Sequence, residues 1–330
     1  MTVLLEVKNL QTRFKSRKRT IHAVNDVSFQ LHEGEALGVV GESGCGKSVT
    51  MLSLLKLLPP SARIETGSAF FEGQDLLAMK EKQIQDVRGA QIGMIFQDPM
   101  SCLNPVINID TQLSEPLIAH LKMTKKEATE RSIQLLEMVG IPEPEQRIKD
   151  YPHQLSGGMR QRVMIAMGLA CKPKILIADE PTTALDVTIQ AQIVDLVKDL
   201  REELNTTIIW ITHDLSLIAG LVDRIIVMYA GYVVEEALVE DLYSDPRHPY
   251  TIGLFGSLPD LNSQQKRLTT IGGAPPNLES VPVCCPFYPR CKFAIDKCKT
   301  ENPPLMPVPG AEDGSHSIAC WVDIRERSNA

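Results

Sequence analysis

Eight residues, GESGCGKS from Gly41 to Ser48, have the spacing of a loop built to hold phosphate. Gly41, Gly44 and Gly46 leave room for backbone N–H groups to curl round an anion, with Glu42, Ser43, Cys45 and Val49 filling the rest of the cradle. Lys47 is placed to reach the β- and γ-phosphates, and Ser48 offers its hydroxyl to Mg2+. A second string, ILIADE from Ile175 to Glu180, reads as a buried strand ending in paired carboxylates, which packing alone does not explain. Asp179 would hold Mg2+, directly or through water, while Glu180 would polarise the water that attacks a γ-phosphate. The chemistry implied is hydrolysis of a nucleoside triphosphate.

Such residues must be held by particular elements. The apolar run Ala36 to Val40, bounded by Gly34 and Gly41, predicts a buried strand, and Ser48 to Leu58 has helical spacing. The loop between them therefore sets its anion at a helix N-terminus, where unpaired N–H groups and the helix dipole favour phosphate. Leu4 to Leu10 and Ala23 to Leu31 read as strands of an antiparallel layer, and Thr66 to Phe71 and Ile92 to Phe96 continue the strands. From about Val106 to Tyr151 the pattern turns helical and charge-rich, with Thr124 as an N-cap and Gly140 as a stop. From Ile175 to Val239 apolar strands alternate with helices, as in a parallel sheet of βαβ units. Ser156, Gly157 and Gly158 open a helix over Met159 to Ala170 and form a second phosphate-binding N-terminus, although one nucleotide needs only one.

The order of these motifs resembles the ATP-binding subunits of ABC transporters over Leu4 to Val239. Phe14 resembles the aromatic that stacks on adenine, Gln97 the glutamine of the Q-loop, Ser156 to Gly158 the signature motif, Asp186 the D-loop and His213 the switch histidine. The resemblance implies an α/β P-loop NTPase cassette over residues 1–250. It has a RecA-like core, an antiparallel β layer and a helical subdomain at about 100–170. It also implies that the second cradle faces the ATP of a partner, so that two chains sandwich two nucleotides. Gln97 and His213 would join Glu180 in catalysis by sensing the γ-phosphate, with Gln97, Ser48 and Asp179 around Mg2+.

Composition sets limits on function. The 330 residues are 43% hydrophobic with a net charge of −7, so no general basic surface invites nucleic acid. The one compact basic cluster, Lys15 to Arg19, reads as a solvated loop. No signal peptide is expected. Apolar stretches such as Val163 to Ala170 fall short of the ~20 residues of a membrane-spanning helix, so other chains would have to supply spanning helices. A single copy of each motif argues against twin-cassette ATPases of translation or repair.

Beyond Tyr250 the composition changes to Pro- and Gly-rich sequence carrying five of the eight cysteines. The run PRHPY at Pro246 to Tyr250 and the PRC run resemble the C-terminal extension of the oligopeptide and dipeptide branch of ABC importers, expected here as a Cys-rich appendage over 251–330. Cys285, Cys291, Cys298 and Cys320 match that branch's four-cysteine pattern, while Cys284 stands where Gly often sits. Their spacing leaves a [4Fe–4S] cluster, zinc and plain thiols open, with paired cysteines missing for a zinc knuckle. The resemblance implies the cluster. Cys45, Cys102 and Cys171 read as incidental.

The expectation is an ATP-hydrolysing subunit, peripheral at the cytoplasmic face of the cell membrane, that energises import of di- and oligopeptides. Its expected partners are two membrane-spanning permease subunits, a second ATPase subunit, similar or identical, and indirectly an extracytoplasmic binding protein. Alternatives are the same machinery importing nickel complexes or another small solute, a soluble redox-sensing ABC ATPase, and a soluble ATPase of DNA or ribosome function.

Overall fold

The computed structural model describes residues 2–16, 19–183, 185–257, 271–311 and 314–325. Arg17 and Lys18 of the basic cluster and Ala184 lie outside the described residues, as do 258–270 and 326–330 of the expected appendage. In chain order the elements are β1 Val3–Lys15, β2 Thr20–His32, β3 Ala36–Val40, α1 Lys47–Leu54, β4 Ala62–Phe71, β5 Gln74–Asp75, α2 Glu81–Val87 and β6 Ile92–Ile95. There follow α3 Pro99–Cys102, α4 Ile109–Leu121, α5 Lys125–Met138, α6 Pro144–Arg147, α7 Gly157–Leu169, β7 Ile175–Asp179, α8 Val187–Leu204 and β8 Thr207–Thr212. The chain closes with β9 Arg224–Tyr229, β10 Tyr232–Leu238, α9 Val239–Ser244, α10 Pro249–Gly256, β11 Met306–Pro307 and β12 His316–Ile318.

These elements fall into two compact units. The first comprises residues 1–32, 37–78 and 212–330, and the second residues 33–36 and 79–211. In the first unit an antiparallel layer runs in the order β2-β1-β4-β5. Leu5 and Val7 of β1 face Leu31 and Phe29 on one side and Phe71 and Ala69 on the other, and all six are buried. β3, buried throughout, pairs in parallel with β9 at Val39 and Ile226. A strand buried on both faces reads as a continuous apolar run, which is why its bounds are visible in the sequence.

The residues beyond 250 belong to this same unit and do not form a third compact body. β12 lies antiparallel to β10, Glu235 opposite Ile318, and β11 adds to β12. Glu235 is fully buried there, yet its carboxylate accepts from the backbone N–H groups of Arg247 at 2.7 Å and His248 at 2.9 Å. Its Oε1 also lies 2.8 Å from Nε2 of His316. A carboxylate removed from water is tolerable only with its lone pairs met in this way.

In the second unit β6, β7 and β8 run parallel, with Ile177 of β7 between Met94 and Ile209. The helical stretch expected from 106 to 151 holds α4, α5 and α6. Thr124 caps α5, accepting from the N–H of Glu127 at 3.3 Å, while a Glu127 carboxylate oxygen accepts from the Thr124 N–H at 2.8 Å. This reciprocal box fixes the start of the helix. Helix α1 is shorter than its expected range, ending at Leu54, because Lys56 turns left-handed at φ 53° and Pro59 and Pro60 follow.

Candidate functional site

The phosphate loop leads from the end of β3 into α1. Gly41 takes φ 151°, and a Cβ on it would lie 2.2 Å from the carbonyl oxygen of Met228. At Gly46, with φ 107°, a Cβ would lie 2.5 Å from the carbonyl oxygen of Ala23. The loop is thus wedged against neighbouring backbone at two places where only glycine fits. No side chain caps the N-terminus of α1. Lys47 is only 4% exposed, and its ammonium donates to the carbonyl oxygens of Gly41 at 2.7 Å and Glu42 at 3.2 Å. Cys45 is buried, and burial pushes its thiol pKa up. The N–H of Glu42 donates to the Tyr250 hydroxyl at 2.8 Å. Of the expected cradle amides, Glu42 and Cys45 are therefore engaged by the protein itself, the latter donating to the Glu42 carbonyl at 3.2 Å. Phe14, half-buried near the end of β1, pairs with Ile21 of β2 and Ala62 of β4 in the same unit.

In the second unit, β7 delivers Asp179, buried, and then Glu180, half-buried. Glu180 has φ 45°, a left-handed conformation that is sparse for a non-glycine residue and concentrates at functional sites. Its N–H donates to the carbonyl of Ile211 at 3.0 Å, tying the bend to β8. The Glu180 carboxylate accepts from Gln97 Nε2 and from Thr183 Oγ1, each at 3.1 Å. Two of the expected catalytic groups, Gln97 and Glu180, are thus brought together. Thr183 was missed by the sequence reading; its signal was a hydroxyl three residues beyond the carboxylate pair.

The residues expected to form the signature cradle also lie in the second unit. Ser156 is the N-cap of α7, its hydroxyl accepting from the N–H of Met159 at 3.3 Å, and the helix begins at Gly157 instead of the expected Met159. Ser156 and Gly157 are exposed. A Cβ on Gly158 would come within 3.2 Å of the Ile189 side chain on α8. Asp186 caps α8, accepting from the N–H of Ile189 at 3.0 Å. In the first unit His213 follows β8 and is exposed, and its neighbour Asp214 donates its N–H to Thr212 Oγ1 at 3.0 Å.

Cys285, Cys291, Cys298 and Cys320 line one small cavity, walled by His248, Phe287, Phe293 and Trp321 among others. Burial pushes the Cys285 thiol up to about 12 and Cys320 up to about 11, and raises Cys291. Burial likewise lowers His248 to about 4. Among the described residues no group of three or more His, Cys, Asp or Glu has the spacing to hold a metal ion. The cavity therefore gathers a soft donor set without converging it on one point. Cys284 is outside that lining.

Known proteins resemble this chain over nearly its whole length. Residues 24–183 match the ABC transporter family model, and residues 234–298 match the model for the oligopeptide/dipeptide transporter C-terminal region. The oligopeptide transport ATP-binding protein OppD of Bacillus subtilis (strain 168) is 49% identical over 98% of this chain and 89% of its own length. The dipeptide transport ATP-binding protein DppD of the same organism is 47% identical over 100% of this chain and 98% of its own. A solved dimeric ATP-binding cassette in a post-hydrolysis state, bound to ADP and Pi, has a TM-score of 0.64 at 30% identity, covering 71% of this chain and 98% of that one. With its phosphate loop, oriented carboxylate, signature cradle and matched C-terminal region, the chain belongs to the ATP-binding proteins of the oligopeptide and dipeptide ABC transporters.

Proposed function

We propose that this chain couples ATP hydrolysis to the import of di- and oligopeptides, working as one half of a nucleotide sandwich. The observation that carries this reading is the pair of separate glycine-bearing helix N-termini, α1 and α7, in a chain that needs only one for its own nucleotide. The second half is an ATPase subunit of the same kind, distinct or identical. Two permease subunits supply the membrane path, since no helix among the described residues is long and apolar enough to cross a membrane. The chain then sits peripherally on the membrane's cytoplasmic face, and an extracytoplasmic binding protein presents the peptide. In this reading residues 1–250 form the ATPase module, about 100–170 the helical part that meets the permease, and 251–330 the appendage.

The residues divide the chemistry. Lys47 exchanges its two carbonyl partners for the β- and γ-phosphates, and Phe14 stacks on adenine. Ser48, Asp179 and Gln97 are the residues that would hold Mg2+, which would supply positive charge to the phosphate groups. Gln97 and Thr183 fix the Glu180 carboxylate so that it orients and polarises the attacking water, and His213 stabilises charge in the transferred group. Reconstitution into vesicles with the membrane partners and a peptide-binding protein tests the assignment. ATP-dependent uptake of labelled di- or oligopeptide is expected; uptake of nickel complexes alone, or full ATPase activity indifferent to the membrane chains, overturns it.

The appendage is proposed to carry a [4Fe–4S] cluster on Cys285, Cys291, Cys298 and Cys320. Such a cluster is ligated at four separate iron corners, so its thiols stand apart around a cavity, which suits the shared lining described above better than a single ion does. When bound, the cluster would supply an electron-accepting centre. Anaerobically purified protein should contain about four irons per chain, and Cys291→Ser should lose them. Iron-free protein, or zinc in its place, removes the cluster.

A further inference from the structure

Between the second and third of the appendage's cysteines and the phosphate loop runs a connection that no cassette motif accounts for. Arg290, in the short turn Tyr288–Arg290 just before Cys291, is half-buried as a residue, with its side chain only 4% exposed. Its two terminal nitrogens donate to the two carboxylate oxygens of Glu42, at 2.7 Å and 2.9 Å. This is the parallel two-bond fork that only arginine makes with a carboxylate. The guanidinium also donates to the Tyr229 hydroxyl at 3.3 Å and to the carbonyl of Gly272 at 3.0 Å, and it lies within 6 Å of the Tyr229 and Phe287 ring centres. Arg290, Glu42, Tyr229, Gly272 and Phe287 all belong to the first unit.

Glu42 is the second residue of the phosphate loop and is engaged through three groups at once. Its carboxylate takes Arg290, its N–H donates to Tyr250, and its carbonyl accepts from Lys47. The first two partners lie on the C-terminal side of the chain, 248 and 208 residues away. The third is the ammonium that must turn to the phosphates. With Glu42 held through its carboxylate and N–H, and its carbonyl also accepting from the Cys45 N–H at 3.2 Å, that carbonyl keeps its place when Lys47 leaves it.

We infer that Arg290 is a positioning residue for ATP binding, holding the phosphate loop through Glu42. This rests on the assignment of residues 41–48 as the ATP cradle. Because the effect is on preorganisation of the loop, it falls on affinity and not on the hydrolytic step, in which Glu180 acts.

The test is a double-mutant cycle on the full chain in its transporter complex, with Mg·ATP binding and steady-state ATPase both measured. Arg290→Ala should raise the Kd and KM for ATP about five- to twenty-fold while kcat changes by less than about twofold. Arg290→Lys, which keeps the charge and loses the fork, should fall between. Glu42→Gln should weaken ATP comparably, and the double variant Glu42→Gln with Arg290→Ala should be no worse than either alone. If Arg290→Ala does not fold, Glu42→Gln and Arg290→Lys report on the same pair from the other side and with the stack retained. Unchanged affinity in folded variants, additive losses, or a fall in kcat at unchanged KM overturns the inference. Failure of the wild type to bind ATP would instead overturn the cradle assignment beneath it.

Discussion

Helices α1 and α7 both carry glycine at the N-terminus where phosphate is expected, Gly46 just before α1 and Gly157 as the first residue of α7, yet their ends are built differently. At α1 no side chain caps the first turn, Gly46 is left-handed, and Lys47 is buried with its ammonium on loop carbonyls. At α7 the cap is occupied by the chain's own Ser156, which is exposed, and the cation of its first turn, Arg160, is only half-buried and donates to the carbonyl of Leu155 at 3.0 Å. An uncapped N-terminus with an interior lysine is organised to hold a triphosphate strongly. A self-capped, exposed one offers a hydroxyl and amides to an anion brought from outside, and is stable without it. In the proposed sandwich this difference would separate owning a nucleotide from completing another subunit's.

The largest effect that sharpens this contrast comes from neither helix. Glu180→Gln keeps the shape that Gln97 and Thr183 hold but removes the base, so turnover should fall about 10²- to 10⁴-fold with ATP affinity nearly intact. Measured rates and affinities together decide it; near-normal turnover, with a partner site inactivated, takes Glu180 out of the reaction. Next, Lys47→Ala should weaken Mg·ATP binding by about tenfold or more, because the charge facing the β- and γ-phosphates is gone. The smallest change in affinity belongs to Ser156→Arg, which should leave this chain's own ATP binding within about twofold while abolishing closure of the sandwich. Equal loss of ATP binding in the Lys47 and Ser156 variants would erase the distinction between the two ends.

Much of this was legible in the sequence, for physical reasons that differ by residue. β3 is visible because a short apolar run sits between glycines, and α5 because Thr124 reads as its N-cap and Gly140 as its stop. The phosphate loop, the signature and the carboxylate pair are local strings whose function is carried by spacing. The ties to Glu42 were not readable. Tyr250 and Arg290 stood inside the PRHPY and PRC runs, but their partner lies more than 200 residues earlier and nothing in local pattern points to it. β12 was missed likewise, since three residues carry no periodicity and their strand character comes wholly from pairing with β10. The left-handed backbone at Glu180 has no compositional sign at all, as a glutamate there contradicts local preference.

The pairing of β12 with β10 also sets a schedule for synthesis. His316 emerges 81 residues after Glu235, the carboxylate it meets in the buried site. At the usual pace of translation that is a wait of roughly 4 to 16 s. Through that interval the free edge of β10 faces whatever nascent neighbours the polysome supplies, and an unpaired edge is a template for the wrong strand. A truncation that removes β12 should therefore show itself first in the cell, as aggregation during expression, before any loss of catalysis is measured.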